Sequence, residues 1–167
     1  IMSRNGSNAT SIARQYKAKY ATTDYQEILN DQDVDIVMIC TRHNLHAQYS
    51  IKAMKKGKAV FVEKPMALNK KEMEEVFKNI QETGVSYLVG FNRRFSKYAV
   101  AIKEQLIERI NPMIINYHMN VGYIPLNHWV HNEEGGGRII GEACHIFDLF
   151  NYFVDSEIDS ISVNSIN

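Results

Sequence analysis

The sequence predicts an α/β fold: a parallel, doubly wound sheet followed by the first part of an α+β domain. Three observations lead there. Short apolar runs recur along the first 90 or so positions, with the continuous patterning of strands buried on both faces. Helical stretches of roughly ten residues or more alternate with them, which makes βαβ units with right-handed crossovers. After about residue 93 the alternation stops and mixed helix, loop and looser strand patterns take over.

In order, Ile1-Met2-Ser3-Arg4 reads as the end of a strand, and Asn5-Gly6-Ser7 turns into a helix. Ser7 or Asn8 is expected to cap it, with Ile12, Tyr16 and Tyr20 at helical spacing. Residues 24–30 form a short helix. Asp35 to Cys40 is the first buried strand. Asn44 is expected to cap a helix carrying Leu45, Tyr49, Ile51, Ala53 and Met54, which Gly57 stops. Ala59 to Val62 is a second strand, running into Glu63-Lys64-Pro65. Asn69 caps the next helix, which ends near Gly84, and residues 85–91 form a third strand. Beyond these, 98–109 is helical, 113–121 a strand, 123–137 a loop, 139–154 an apolar helix and 160–166 a half-exposed strand.

The chain has 19 basic and 19 acidic residues, so no global field advertises nucleic acid or membrane. No stretch approaches the roughly 20 apolar residues of a membrane-spanning helix, and the opening lacks the pattern of a signal peptide. Cys40 and Cys144 both sit in apolar runs and read as buried thiols of a cytoplasmic protein. The basic run Lys52 to Lys58 reads as a solvated helix end, where cations suit the helix dipole.

In open parallel sheets ligands bind beyond the carboxyl ends of the strands. Thr41-Arg42-His43-Asn44, Glu63-Lys64-Pro65 and Asn92-Arg93-Arg94 all fall there. Lys64 is either a solvated lysine at a strand exit or, in a turn fixed by Pro65, a side chain aimed across the strand ends. On the later helix, Gly141, His145, Asp148 and Tyr152 share one stripe at spacings of four, three and four, with Glu142 beside His145. A polar stripe on a buried helix needs partners or a ligand. His145 is either a core histidine or an acid–base group that exchanges a carbinol proton. Asp148 can orient its ring or bond local backbone. Gly135-Gly136-Gly137 lacks the spacing of a phosphate loop and reads as a flexible lead-in to this helix. His43-x-x-His46, His128-x-x-His131 and Cys144-His145 lack the patterns of a zinc site, so no metal is expected.

Thr41-Arg42-His43-Asn44-Leu45-His46, followed by Gly57 to Pro65, resembles the Gfo/Idh/MocA oxidoreductases, which include glucose–fructose oxidoreductase and inositol dehydrogenase. Gly90 to Phe95 resembles the junction between that family's two domains, and Gly135-Gly136-Gly137 with His145 and Asp148 its glycine-rich approach to the active-site helix. The resemblance implies the later part of a Rossmann domain at 1–92 and the start of an α+β substrate domain at 93–167, whose sheet would build a homo-oligomer. It places a first strand and its glycine-rich loop ahead of Ile1, so the chain is expected to be part of a longer polypeptide.

It further implies hydride transfer between NAD or NADP and a carbinol of a sugar, cyclitol or nucleotide-sugar, with Lys64 and His145 catalytic. Thr41, Asn44, His46, Glu63, Lys64, Pro65 and Arg94 would line the cofactor. Lys64, Arg93, Glu142, His145 and Asp148 would meet the substrate. Ser3 and Arg4 would stand where an acidic residue bonds the NAD ribose; a Ser-Arg pair suits the 2′-phosphate, which favours NADP. One departure stands out: an Asp often found four residues before the histidine is Gly141 here, with Glu142 beside it. The alternatives are a catalytically inactive relative that binds a dinucleotide or sugar as a regulator and, more distantly, a metal-dependent hydrolase.

Overall fold

Strands β1 (Ile36–Ile39), β2 (Ala59–Val62) and β3 (Tyr87–Val89) form a parallel sheet in the order β1-β2-β3. Their register sets Val37, Val60 and Tyr87 in one row and Ile39, Val62 and Val89 in the next. Because side chains alternate across a strand, these rows share a face, and that face is the core. Val60 and Val62 are buried at its centre with Leu29, Ala47, Ala53, Met54 and Val76. Each of the larger side chains among these (Val, Leu and Met) contributes about 1.5–3 kcal/mol by leaving water.

The computed structural model that gives this picture describes residues 1–164, in two compact units, Ile1–Gly90 and Phe91 onward. In the first unit, helices α1 (Gly6–Gln15) and α2 (Tyr25–Asn30) precede the strands, and α3 (His46–Lys55) and α4 (Lys70–Thr83) alternate with them in sequence. α3 packs on β1, β2 and α4. It comes close because the residues it turns inward are small: Ala47, Ser50 and Ala53 are buried, with Met54 filling the remaining space.

Local chemistry explains most of the boundaries. Asp24 Oδ1 accepts the Gln26 N–H at 2.8 Å at the start of α2. Asn69 Oδ1 accepts the Glu72 N–H at 2.9 Å, while the Glu72 carboxylate accepts the Leu68 N–H at 2.9 Å, a reciprocal cap that starts α4. Gly84, at φ 65°, ends it in the left-handed conformation that glycine adopts without a Cβ penalty.

Several expectations are corrected. The cap of α1 is Asn5, whose Oδ1 accepts from the Ser7 and Asn8 N–H groups, so those two residues are capped rather than capping. The buried face of that helix is Ala9 and Ala13, while Ile12 and Tyr16 are exposed. Asn44 does not cap α3; it lies in a short 3₁₀ turn, His43–Leu45, that leads into the helix without a side-chain cap. The strands are not buried on both faces. Ile36 and Met38 are 60% and 68% exposed and Leu88 is exposed as well, because no described residue covers the second face.

The basic run at the end of α3 is not simply solvated. Lys58 is 8% exposed and donates to the Asp31 carbonyl at 2.7 Å. Lys52 donates to the Tyr25 hydroxyl at 2.6 Å and Lys56 to Asn30 at 2.9 Å, so three lysines tie the end of α3 to α2. Cys40 is exposed and Cys144 half-buried, rather than core thiols. Burial, and then the nearby Glu63 charge, hold the Cys40 thiol above its ordinary range.

The start of the chain is extended, as expected of a strand end, and bridges in parallel from Met2 to Thr22. In the second unit, α5 (Lys97–Leu106) and α6 (Cys144–Val154) are the α-helices, and α5 packs on α6. The strands expected at 113–121 and 160–166 are absent among the described residues, where neither segment finds a ladder partner; 165–167 lie outside them. The C-terminal sheet expected to build an oligomer therefore has no strand among the described residues. No helix there is long and apolar enough to cross a membrane.

The cap on α4 makes one prediction. Asn69→Ala lowers stability by about 1 kcal/mol, whereas Asn69→Asp, which keeps the acceptor, stays close to wild type. Urea unfolding with an unchanged slope checks both.

Candidate active site

In the first unit the parallel register sends the chain out of β1 and β2 at the same edge. Ile39 sits beside Val62, and the Glu63 N–H extends the ladder by donating to the Ile39 carbonyl at 2.9 Å. On the other side the Gly90 N–H donates to the Val62 carbonyl at 2.8 Å. Gly90 is closely packed here: a Cβ would stand 3.2 Å from the Phe61 ring and 3.3 Å from the Glu63 carboxyl carbon. The edge thus carries Thr41, Glu63 and Lys64, all half-buried, with Pro65 buried behind a cis Lys64-Pro65 bond.

The predicted cofactor residues do not share one environment. Asn44 is exposed. His46 is fully buried, with 0% exposure, and its two ring nitrogens lie 2.7 Å from the Pro65 carbonyl and 3.1 Å from the Thr41 carbonyl. Both ring edges face backbone, so the ring ties together the loops that follow β1 and β2. His43, which the sequence placed in the strand-end cluster without a role, is also buried, its ring centroid 5.6 Å from that of His46. Ser3 is half-buried at the end of the Met2 bridge, where its hydroxyl accepts from the Asn5 N–H at 3.4 Å, and Arg4 is exposed.

In the second unit the polar stripe is real but shorter than the spacing implied. Residues Ile139–Ala143 form a π-helical turn, so Gly141 and Glu142 do not continue the α-helical rows of α6. His145 and Asp148 lie within α6 and are 6% and 8% exposed. The Phe91 ring meets His145 edge-on at 6.1 Å. Arg94 grips Asp148 at two points, through Nε to Oδ2 at 3.0 Å and Nη2 to Oδ1. Two-point pairing of a planar guanidinium with a carboxylate is both strong and directional. It holds the Arg94 side chain even more firmly protonated than usual, with burial opposing the effect.

Arg94, expected against a cofactor, is therefore engaged in fixing α6, and Asp148 has a partner 54 residues away that helix spacing could not offer. Arg94 and Lys103 also lie over the Tyr152 ring at 5.5 and 5.6 Å. Arg93 donates to the Tyr117 hydroxyl at 3.0 Å. The glycines before α6 are not a flexible lead-in. A Cβ on Gly135 would fall 2.4 Å from the Val130 Cα, and Gly136 and Gly137 take φ of 71° and 84°, so this is a tightly packed turn. Among the described residues no group of three or more His, Cys, Asp or Glu is arranged to hold a metal ion.

The Arg94–Asp148 pair carries a prediction. Arg94→Ala and Asp148→Ala each cost about 1–3 kcal/mol, the lower part of that range reflecting solvent around the one-third-exposed Arg94. The double variant loses less than the sum. A double-mutant cycle by chemical unfolding that gives additive losses excludes the coupling.

Residues 1–91 match the family described as an oxidoreductase family with an NAD-binding Rossmann fold, GFO_IDH_MocA. The chain is 33% identical over 157 residues to scyllo-inositol 2-dehydrogenase (NAD(+)) of Bacillus subtilis (strain 168), covering 92% of this chain and 45% of that protein. It is 30% identical over 166 residues to an uncharacterized oxidoreductase, YrbE, of the same organism, covering 93% and 46%. Among solved structures it is similar to levoglucosan dehydrogenase in complex with NADH and levoglucosan. There the identity is 25%, the TM-score 0.75 and the coverage 92% of this chain and 44% of that one. The chain spans just under half the length of each of these relatives.

Proposed function

The chain belongs to the Gfo/Idh/MocA oxidoreductase family, with the NAD-binding Rossmann fold at residues 1–91, and from that premise we propose that it serves hydride transfer between NAD(P) and a secondary carbinol of a sugar, cyclitol or nucleotide-sugar. The observation that carries this reading is the common edge of β1 and β2, which delivers Thr41 and the half-buried Lys64 to one place. Relatives named for scyllo-inositol and levoglucosan support a polyhydroxylated substrate of small size.

The residues fit a bound nicotinamide in their chemistry. Thr41, Glu63, Lys64 and Pro65 supply backbone and side-chain polar groups at the strand ends, where dinucleotides bind in such sheets. The cofactor supplies the hydride acceptor or donor; alignment and proton handling are left to the protein. Lys64 moves the carbinol proton. His145, buried on α6, is the second proton-handling group. The Arg94–Asp148 pair holds its helix, and Arg93 and Glu142 contribute to the substrate's surroundings. Arg4, exposed at the end of the first extended segment, with Ser3 beside it, suits the extra phosphate of NADP.

A second reading is a regulator that binds without turnover. Gly141 favours it, since this buried position on the approach to His145 brings no side chain. A panel of inositols and anhydro-sugars assayed for nicotinamide reduction separates the two, because a regulator binds and reduces nothing.

Titration with NADPH and NADH, followed by nicotinamide fluorescence, tests the leading reading. Binding tighter for NADPH by about tenfold, a difference of about 1.4 kcal/mol, is expected, and Arg4→Ala removes the preference. Lys64→Ala retains most of the binding but loses turnover with any substrate the wild type accepts. Equal affinity for the two nicotinamides overturns the assignment of Ser3 and Arg4, and full turnover by Lys64→Ala overturns that of Lys64.

A further inference from the structure

The geometry points to His46 as a clamp that positions Lys64. The ring is the most enclosed polar side chain at the strand ends, with no exposed surface. Nδ1 lies 2.7 Å from the Pro65 carbonyl oxygen and Nε2 3.1 Å from the Thr41 carbonyl oxygen. A backbone carbonyl oxygen accepts a hydrogen bond and cannot donate one. The shorter contact assigns the ring hydrogen to Nδ1, whose N–H donates to the Pro65 carbonyl, while the Thr41 carbonyl lies against the other edge of the ring.

The two anchors decide what the clamp does. Thr41 follows β1 and Pro65 follows β2, so one ring spans the exits of two neighbouring strands. Lys64 stands between two fixed backbone points. Before it, the Glu63 N–H is held by the Ile39 carbonyl at 2.9 Å; after it, the Pro65 carbonyl is held by His46. With both flanks pinned, the direction in which the Lys64 side chain leaves the backbone is set by the protein rather than by a mobile loop. His43, packed beside His46 at 5.6 Å between ring centroids, closes the site. His46 is thus a positioning residue that acts through Lys64. Its use in catalysis rests on the function proposed above for that lysine, while the clamp itself is read independently of it.

The test uses the full 167-residue chain, labelled with ¹⁵N-histidine, and reads the ring nitrogens of His46 by NMR near neutral pH. A protonated Nδ1, with a one-bond N–H coupling, is expected; a His46 ring with a bare Nδ1 overturns the clamp. Amide exchange in variants reads the positioning. His46→Asn keeps a donor near the place of Nδ1 and His46→Gln one near the place of Nε2, whereas His46→Leu keeps neither.

His46→Leu is expected to speed exchange at the Lys64 amide at least tenfold relative to Val60 in β2, and His46→Asn to restore most of that protection while His46→Gln does not. Equal behaviour of the Asn and Gln variants, or loss of protection that includes Val60, overturns positioning through Pro65. If the leucine variant fails to fold, the wild-type spectrum and the Asn–Gln comparison still decide. A clamp seen by NMR in a chain that binds neither NADH nor NADPH would sink the functional reading and leave the clamp standing.

Discussion

The central position of β2 is the constraint on which the first unit depends. It pairs with β1 on one side and β3 on the other, in parallel and in a register that brings apolar rows together on a single face. A shift of one residue would turn Val60 and Val62 outward and bring Phe61 inward, so burial enforces the register strongly. The same register aligns the carboxyl ends of β1 and β2. The candidate edge with Thr41, Glu63 and Lys64 is therefore a consequence of core packing and needs no separate device to assemble it.

Around this frame, buried polar groups do a second kind of work. Lys58, His46 and Asp148 are each enclosed, and each is met by a partner distant in the chain: the Asp31 carbonyl, the Thr41 and Pro65 carbonyls, and Arg94. A buried polar group left without a partner costs about 1–3 kcal/mol. That cost makes each of these contacts selective for one arrangement of its segments, where apolar contacts alone would tolerate several. Lys58 fastens the end of α3 to the loop after α2. His46 fastens two strand exits to each other. Arg94 fastens the segment following β3 to the helix that carries His145.

The second unit follows different rules from the first. Its helices are joined by long irregular segments, and its order is set by particular side-chain contacts instead of a sheet. The packed glycine turn at Gly135 and the π-helical turn that follows it bring the chain into α6. The two-point hold on Asp148 and the edge-on meeting of Phe91 with His145 then fix that helix against the start of the unit.

The sequence by itself determined the parallel strands, the helices between them, the cap at Asn69, the stop at Gly84 and the resemblance carried by Glu63-Lys64-Pro65 and His145. All of these are written in residues close together in the chain, where periodicity and capping chemistry act. Tertiary structure alone decided which face of the sheet carries the core of the first unit, since a run such as Ile36 to Ile39 is apolar on both faces. It also decided that His46 binds backbone, that Lys58 is buried, that Asp148 belongs to Arg94, and that 113–121 carries no strand. The reason is common to all of them: a buried polar group or a strand edge is completed by whichever partner the fold brings near, and nothing in local spacing specifies a partner 19, 27 or 54 residues away.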